Sequence, residues 1–108
     1  MTEQRAIEVI YCAGWAPQIR KPVGVMDVDT ARNRDSFGKP YAVLLTAGAR
    51  PRALFQVDWG HHYLGLFLFD EHGRRDRAYD YLELEPGLLF LRRYEQWRYA
   101  HADEPEFP

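Results

Sequence analysis

The sequence predicts a mainly β domain, built as a single antiparallel sheet of about six strands that is strongly curled or closed into a small barrel. Apolar and polar residues alternate over short segments rich in β-branched and aromatic residues, which is typical of strands. Turn residues such as Gly, Pro and Asp separate these segments at hairpin length. Periodicity is lost over one long stretch, residues 13–39, which we interpret as an irregular loop.

The stretch from His62 to Phe69 is predicted to be the central strand of the sheet. Its alternate positions are apolar on both sides, with leucines on one side and aromatic residues on the other. A strand with two apolar faces is normally covered on both of them. The Asp70 to Gly73 sequence that follows has the residues of a type I turn, so the chain is expected to return as a hairpin.

Five further strands follow from the same alternation. They are predicted over residues 5–12, 41–47, 53–59, 77–84 and 88–94. In the first of them, Ile7, Val9 and Tyr11 are expected to face the core, whereas Leu54 in the third is expected to face outward. All strands from residue 41 onward should form a meander, to which the strand at 5–12 is added.

The loop over residues 13–39 contains one segment, 29–36, that predicts a short helix capped by Asp29 or Thr30. Unstructured loops of this length are uncommon in compact domains and are often functional. Two interpretations stay open at this point. The segment is either a recognition loop or a surface excursion with one helical turn.

Size and charge favour one cytoplasmic domain. The 108 residues fit a single domain over 1–102, followed by an acidic segment at 103–108 that we expect to be flexible. The net charge of -2 disfavours binding to nucleic acid or to a membrane surface. The single cysteine, Cys12, suits a reducing compartment, and the apolar run near the N-terminus is too short for a signal peptide. We interpret the preference for Arg over Lys as the bias of a bacterial genome rich in G and C.

Catalytic and metal-binding motifs are weak in this sequence. His61 and His62 are adjacent, so on a strand their side chains point to opposite faces, which is not the spacing of metal ligands. Ser36 lacks the Gly-x-Ser-x-Gly setting of a hydrolase nucleophile, and Cys12 is expected to be a small buried residue. We predict no metal site, no cofactor and no catalytic residue.

A surplus of Tyr, Trp and Arg at positions expected to point away from the core favours a protein-binding role. These residues are Tyr79, Tyr81, Arg92, Tyr94, Trp97, Arg98 and Tyr99. We expect an inhibitor, an immunity-type protein or an accessory subunit, which binds another protein or forms a homodimer. In the homodimer, Arg92 and Arg98 would face Asp80 or Glu83 across the two-fold axis. The competing interpretation is that the 13–39 loop covers this surface within one chain.

The alternative function is binding of a small apolar or aromatic ligand inside a β-barrel, with a histidine as polar anchor or acid–base group. Its predicted lining is Tyr41, Trp59, His62, Tyr63 and Phe67. An enzymatic activity would belong to this alternative. The protein-binding role is preferred because catalytic motifs are weak while residue types common at interfaces are abundant.

Overall fold

The computed structural model describes residues 6–107 and contains one open, antiparallel sheet of six strands. The elements in chain order are β1 (Ile7–Cys12), β2 (Gly14–Ala16), β3 (Lys21–Val23), α1 (Val28–Ser36), β4 (Tyr41–Ala47), β5 (Arg50–Asp58), a 3₁₀ turn (Trp59–His61), β6 (Tyr63–Phe69), β7 (Arg75–Glu85) and β8 (Leu88–Gln96). The sheet order is β1-β4-β5-β6-β7-β8, and β2 pairs with β3 as a separate hairpin. The edges of the main sheet are therefore β1 and β8.

The predicted mainly β fold with about six antiparallel strands is confirmed, and so is the meander from β4 to β8. Strand β6 occupies one of the two central positions, as its two apolar faces predicted. The sheet does not close, so the barrel form of the prediction is not found. Closure would require β8 to pair with β1 at a consistent stagger, and these strands instead lie at opposite ends of the sheet. Arg5, at the start of the predicted first strand, lies outside the described residues.

The predicted helix in the 13–39 segment is confirmed at Val28–Ser36, and the segment also contains the β2–β3 hairpin, which the sequence did not predict. The helix cap is Asp27 rather than Asp29 or Thr30. The Asp27 carboxylate accepts a hydrogen bond from the backbone N–H of Thr30 at 2.7 Å. This hydrogen bond holds the pKa of Asp27 below its ordinary value.

One face of the sheet, which we call the covered face, holds the main core. Its buried centre consists of Cys12, Ala42, Leu44, Leu54 and Phe69, with Ile10, Trp15 and Phe67 packed against it. The ring centroid of Trp15, which belongs to the β2–β3 hairpin, lies 5.1 Å from that of Phe69. The hairpin therefore supplies a second layer over this face.

Two predicted orientations are wrong. Ile7 and Val9, expected to face the core, are 57% and 50% exposed, while Ile10 and Cys12 on the other side of β1 pack into it. Leu54, expected to face outward, is 1% exposed. Alternation shows which residues share a face of the sheet, but the choice of the covered face depends on where the rest of the chain packs.

The opposite face, which we call the open face, is apolar across all six strands. Helix α1 packs on it at one corner, beside Tyr11 and Tyr41. The strand register places there the side chains of Ile7, Val9, Val43, Leu45, Phe55, Leu64, Leu66, Leu68, Tyr79, Tyr81, Leu89, Leu91 and Tyr94. Globular domains normally bury such a face against a second layer. At both ends of this face, on β1 and on β8, large apolar side chains remain exposed.

Asp35 holds the C-terminal half of α1 to the end of the sheet. Its Oδ1 atom accepts hydrogen bonds from the Tyr41 hydroxyl and the Trp59 indole N–H, both at 2.8 Å. Burial, together with the hydrogen bond to Asp35, raises the pKa of Tyr41 to about 12. The backbone N–H of Gly60 also donates to the Gly38 carbonyl at 3.0 Å, so two loop segments meet backbone to backbone.

We expect Gly60→Ala to destabilise this junction, because a Cβ atom at residue 60 would lie 2.5 Å from the Gly38 carbonyl oxygen. The free energy of unfolding should fall by about 1–3 kcal/mol as the segments separate. Gly14→Ala is the matched control, since a Cβ atom there meets nothing within 4 Å. Urea denaturation followed by circular dichroism measures both variants, and equal midpoints would contradict the close approach.

Candidate functional site

Strand β8 is an edge of the sheet and is apolar on both of its sides. Its first four residues, Leu88, Leu89, Phe90 and Leu91, are 56%, 41%, 57% and 47% exposed. The strand pairs with β7 on one flank, and its other flank ends the sheet. Edge strands in native proteins are usually short, charged or interrupted by proline. This nine-residue strand has no charge or proline before Arg92.

Three tyrosines extend this apolar surface onto the open face. Tyr79 and Tyr81 project from β7, and Tyr94 projects from β8. The ring centroid of Tyr79 lies 5.1 Å from that of Tyr94 in a tilted arrangement and 6.5 Å from that of Tyr81 in a stacked one. Contacts of this kind fix the ring orientations. We call these three tyrosines together with residues 88–91 the β8 patch.

Arg92 and Arg93 lie on the covered-face side of β8 and share the carboxylate of Asp80. Their nearest nitrogen atoms are 3.8 and 3.4 Å from Asp80 Oδ2. The register pairs Asp80 with Arg93 and Tyr81 with Leu91, so Arg92 is the extra residue of a β-bulge and both arginines point the same way. The contact of Arg92 with Asp80, expected across a two-fold axis, is made within one chain.

Two further predicted partner-binding residues, Trp97 and Tyr99, are engaged by their own chain. The ring centroid of Trp97 lies 6.4 Å from that of Phe67, and the Arg75 guanidinium lies 4.8 Å from the Trp97 centroid. The Tyr99 hydroxyl donates to the Arg75 carbonyl at 2.7 Å. Arg98 is exposed. The chain after β8 thus turns back over the covered face, whereas Tyr79, Tyr81 and Tyr94 stay on the open face.

Arg74 attaches the C-terminal segment to the β6–β7 turn. It is 5% exposed, and its Nη1 atom donates to the carbonyls of His101 and Glu104 at 3.2 and 2.7 Å. Its Nε atom donates to Asp70 Oδ2 at 2.9 Å. Burial works against the charged form of Asp70, but hydrogen bonds from the backbone N–H groups of Arg74 and His72 and from the guanidinium hold its pKa below the ordinary value.

A second ion pair, between Arg75 and Glu106, lies beside this attachment, and the Glu106 side chain is 3% exposed. The flexibility of the acidic segment 103–108 stays a prediction, which hydrogen exchange of its backbone amides would test. Pro108 lies outside the described residues.

Among the clefts that residues 6–107 form around these side chains, none is lined by all five residues of the predicted ligand pocket. Tyr41 and Tyr63 share a cleft of about 240 Å³ at the strand ends, and Phe67 lines a different one of about 120 Å³. Trp59 and His62 line neither cleft. A third cleft of about 350 Å³, beside the β2–β3 hairpin, contains none of the five.

Two of these residues, Tyr63 and His62, make polar contacts with side chains of the neighbouring strand β7. The Tyr63 hydroxyl donates to Asp80 at 2.8 Å. Its pKa is raised to about 12 by burial and then by this hydrogen bond. His62 is mostly exposed, with its Nδ1 atom 3.8 Å from Glu83.

Among residues 6–107, no group of three or more His, Cys, Asp or Glu side chains is placed to hold a metal ion. His61 is exposed, and its Nδ1 atom lies 2.9 Å from Asp58 Oδ2. Cys12 is fully buried, and this burial raises the pKa of its thiol, which lowers its reactivity.

Comparison with known proteins adds no family to this description: no protein-family model, curated protein or solved structure matches the chain. Within the described part of the chain, no helix is long and apolar enough to cross a membrane. The surfaces and clefts of the protein itself are therefore the basis for a functional proposal.

Sequence reasoning named the three tyrosines of the β8 patch and missed the four residues from Leu88 to Leu91. A usable signal was present, because these four consecutive apolar residues follow a Pro-Gly turn and open the last strand of a predicted meander. The last strand of a meander is an edge unless the sheet closes. In β8, the apolar residues on both sides of the strand are exposed rather than buried.

We expect Arg74→Met to lower the free energy of unfolding by about 2–4 kcal/mol, because it removes the guanidinium that donates to Asp70 Oδ2 and to two backbone carbonyls. Arg98→Met is the control, since it removes the same charge from an exposed position. Urea denaturation gives both values. A loss equal to that of the control would show that the Arg74 contacts do not hold the C-terminal segment.

Proposed function

We propose that this protein is a protein-binding module, of the inhibitor, immunity or accessory-subunit kind, that binds its partner through the β8 patch. The observation that carries the proposal is the run of four large apolar side chains, Leu88 to Leu91, half-exposed at an uncharged stretch of sheet edge. Soluble monomers rarely expose contiguous apolar patches, and those that do commonly use them for binding.

The composition of the β8 patch is that of an interface centre. Leucine and phenylalanine side chains contribute about 1.5–3 kcal/mol each when they are taken fully out of water, so covering these half-exposed residues provides a substantial driving force. Tyr79, Tyr81 and Tyr94 add rigid aromatic surface with polar ends, the type of residue that dominates binding energy at interfaces. Within β8, the first charged residue is Arg92, after the four apolar residues.

The β8 edge also has backbone groups that can bind a partner. An edge strand has unpaired N–H and C=O groups along its outer flank, and an extended segment of another chain can satisfy them by adding a strand to the sheet. Other exposed apolar residues, such as Ile19, Val25 and Phe37, lie on separate loops and at the end of α1. They lack this combination of a continuous apolar run with an open edge.

The ligand-binding alternative has less support. It required a barrel interior, and the sheet is open. Its five lining residues are divided between the two faces and the ends of the strands. The exposed surface therefore supports the protein-binding role better than the ligand-binding role.

Phe90→Lys should abolish partner binding, because it places a charge at the centre of the β8 patch. Phe37→Lys is the matched control, since it makes the same change at a residue that is 72% exposed and lies outside the β8 patch. Tagged wild-type and variant proteins are used to capture partners from native lysate after mild cross-linking. We expect the same proteins with wild type and Phe37→Lys and at least a roughly tenfold loss with Phe90→Lys, or about 1.4 kcal/mol.

Circular dichroism and urea midpoints establish that both variants keep the fold. Equal recovery by all three proteins would contradict the assignment of the β8 patch, and so would the absence of any captured protein with the wild type.

A further inference from the structure

We propose that the occupant of the β8 edge is the β8 strand of a second copy of this chain, paired antiparallel across a two-fold axis so that two six-stranded sheets join into one. This inference rests on the proposed function, because it names the partner of the β8 patch. Antiparallel pairing of an edge with itself is isologous, so each copy uses the same residues.

The sequence of β8 is self-complementary when the two-fold axis passes beside Phe90. Directly opposed residues of an antiparallel pair share a face, so Leu89 meets the partner's Leu91 on the open-face side. Phe90 meets the partner's Phe90 on the covered-face side. Each of these contacts joins two apolar side chains that are half-exposed in a single copy. The same pairing satisfies the outer backbone groups of both strands.

The charges at the two ends of the strand are complementary in this arrangement. Arg92 and Arg93, whose side chains are 52% and 65% exposed, lie at one end of the apolar run. The exposed Glu85 lies at the other end, paired with Leu88 in the β7–β8 hairpin. The two-fold axis that centres on Phe90 places Arg92 opposite the partner's Leu88, about two strand spacings or ~10 Å from the partner's Glu85. Extended arginine and glutamate side chains span this distance, and in the dimer Arg92 exchanges its 3.8 Å contact with Asp80 for the partner's Glu85 while Arg93 keeps Asp80.

The other edge is less suited to pairing. Strand β1 has six residues, is interrupted by Glu8, and packs the partly buried Ile10 and the buried Cys12 on its covered-face side. Its Tyr11 already forms a β-bridge with Met26. A second alternative is a dimer in which the open faces of two copies stack. Helix α1 obstructs this stacking at one corner, because it lies on the open face beside Tyr11. β8 has nine residues and exposes apolar side chains on both of its faces.

Edge pairing of this kind buries less than the roughly 800 Å² per partner of a standard interface, so the dimer should dissociate on dilution. Sedimentation equilibrium at increasing protein concentration should therefore give a mass that rises from 12.7 kDa toward twice that value. Phe37→Lys should behave as the wild type. Phe90→Lys should stay at the monomer mass over the same range, and a wild-type mass that never rises would overturn the inference.

Single cysteines test the geometry of the dimer in a Cys12→Ala background. Opposed residues of an antiparallel pair have Cα atoms about 4.5–5.5 Å apart, which is within the range that a disulfide spans. Phe90→Cys should therefore give a disulfide-linked dimer on mild oxidation, while Phe37→Cys and Leu66→Cys, the latter on the open face, should not. Cross-linking at residue 66 in place of residue 90 would show that the open faces stack, and it would overturn the edge pairing.

The two experiments separate this inference from the proposed function. A wild-type chain that stays monomeric, while Phe90→Lys still loses a captured protein, overturns the self-pairing and leaves the β8 patch as a binding site for another protein. If Phe90→Lys dimerises as well as the wild type, the self-pairing is overturned too. The capture experiment alone then tests whether the β8 patch binds another protein.

Discussion

A single sheet has two faces, and the described residues outside its six strands pack mainly on one of them. That constraint decides which apolar side chains are buried and which are exposed. The β2–β3 hairpin and the segment after β8 both go to the covered face, where Trp15 packs on Phe69 and Trp97 lies beside Phe67. Helix α1 reaches one corner of the open face. Among residues 6–107, no segment covers the apolar side chains of β8, which stay exposed.

The thin core explains why polar contacts matter for this fold. The largest fully buried side chains are Leu44, Leu54 and Cys12, so the C-terminal layer is held by charge-assisted hydrogen bonds around Arg74 as well as by packing. These contacts depend on pH. Because the folded-state pKa of Asp70 is lowered, its carboxylate stabilises the fold above its unfolded pKa of about 4 and loses that contribution as the pH falls through the folded value.

Most of the fold was predictable because hairpins are local. Alternation within each strand and the turn residues between strands specify a meander without reference to the rest of the chain. What could not be predicted is which face the remaining chain covers, because alternation is symmetric with respect to the two faces. Ile7 and Val9 are as apolar as Ile10 and Cys12, and only the position of the β2–β3 hairpin decides between them. That hairpin has three residues in each strand, too few for a periodic signal.

The candidate site was partly predictable for a related reason. Residue type indicated Tyr79, Tyr81 and Tyr94 as surface residues. Trp97 was also indicated, but it follows the end of β8 and packs within the chain. Leu88 to Leu91 are residue types common in cores, and they are exposed because of where β8 lies in the sheet. The same position favours one form of binding over another. A flat partner surface would cover the apolar side chains and leave the outer backbone groups of β8 without hydrogen bonds. A partner strand would cover the side chains and satisfy the backbone groups together, and strand addition is therefore the mode of binding that we propose for this edge.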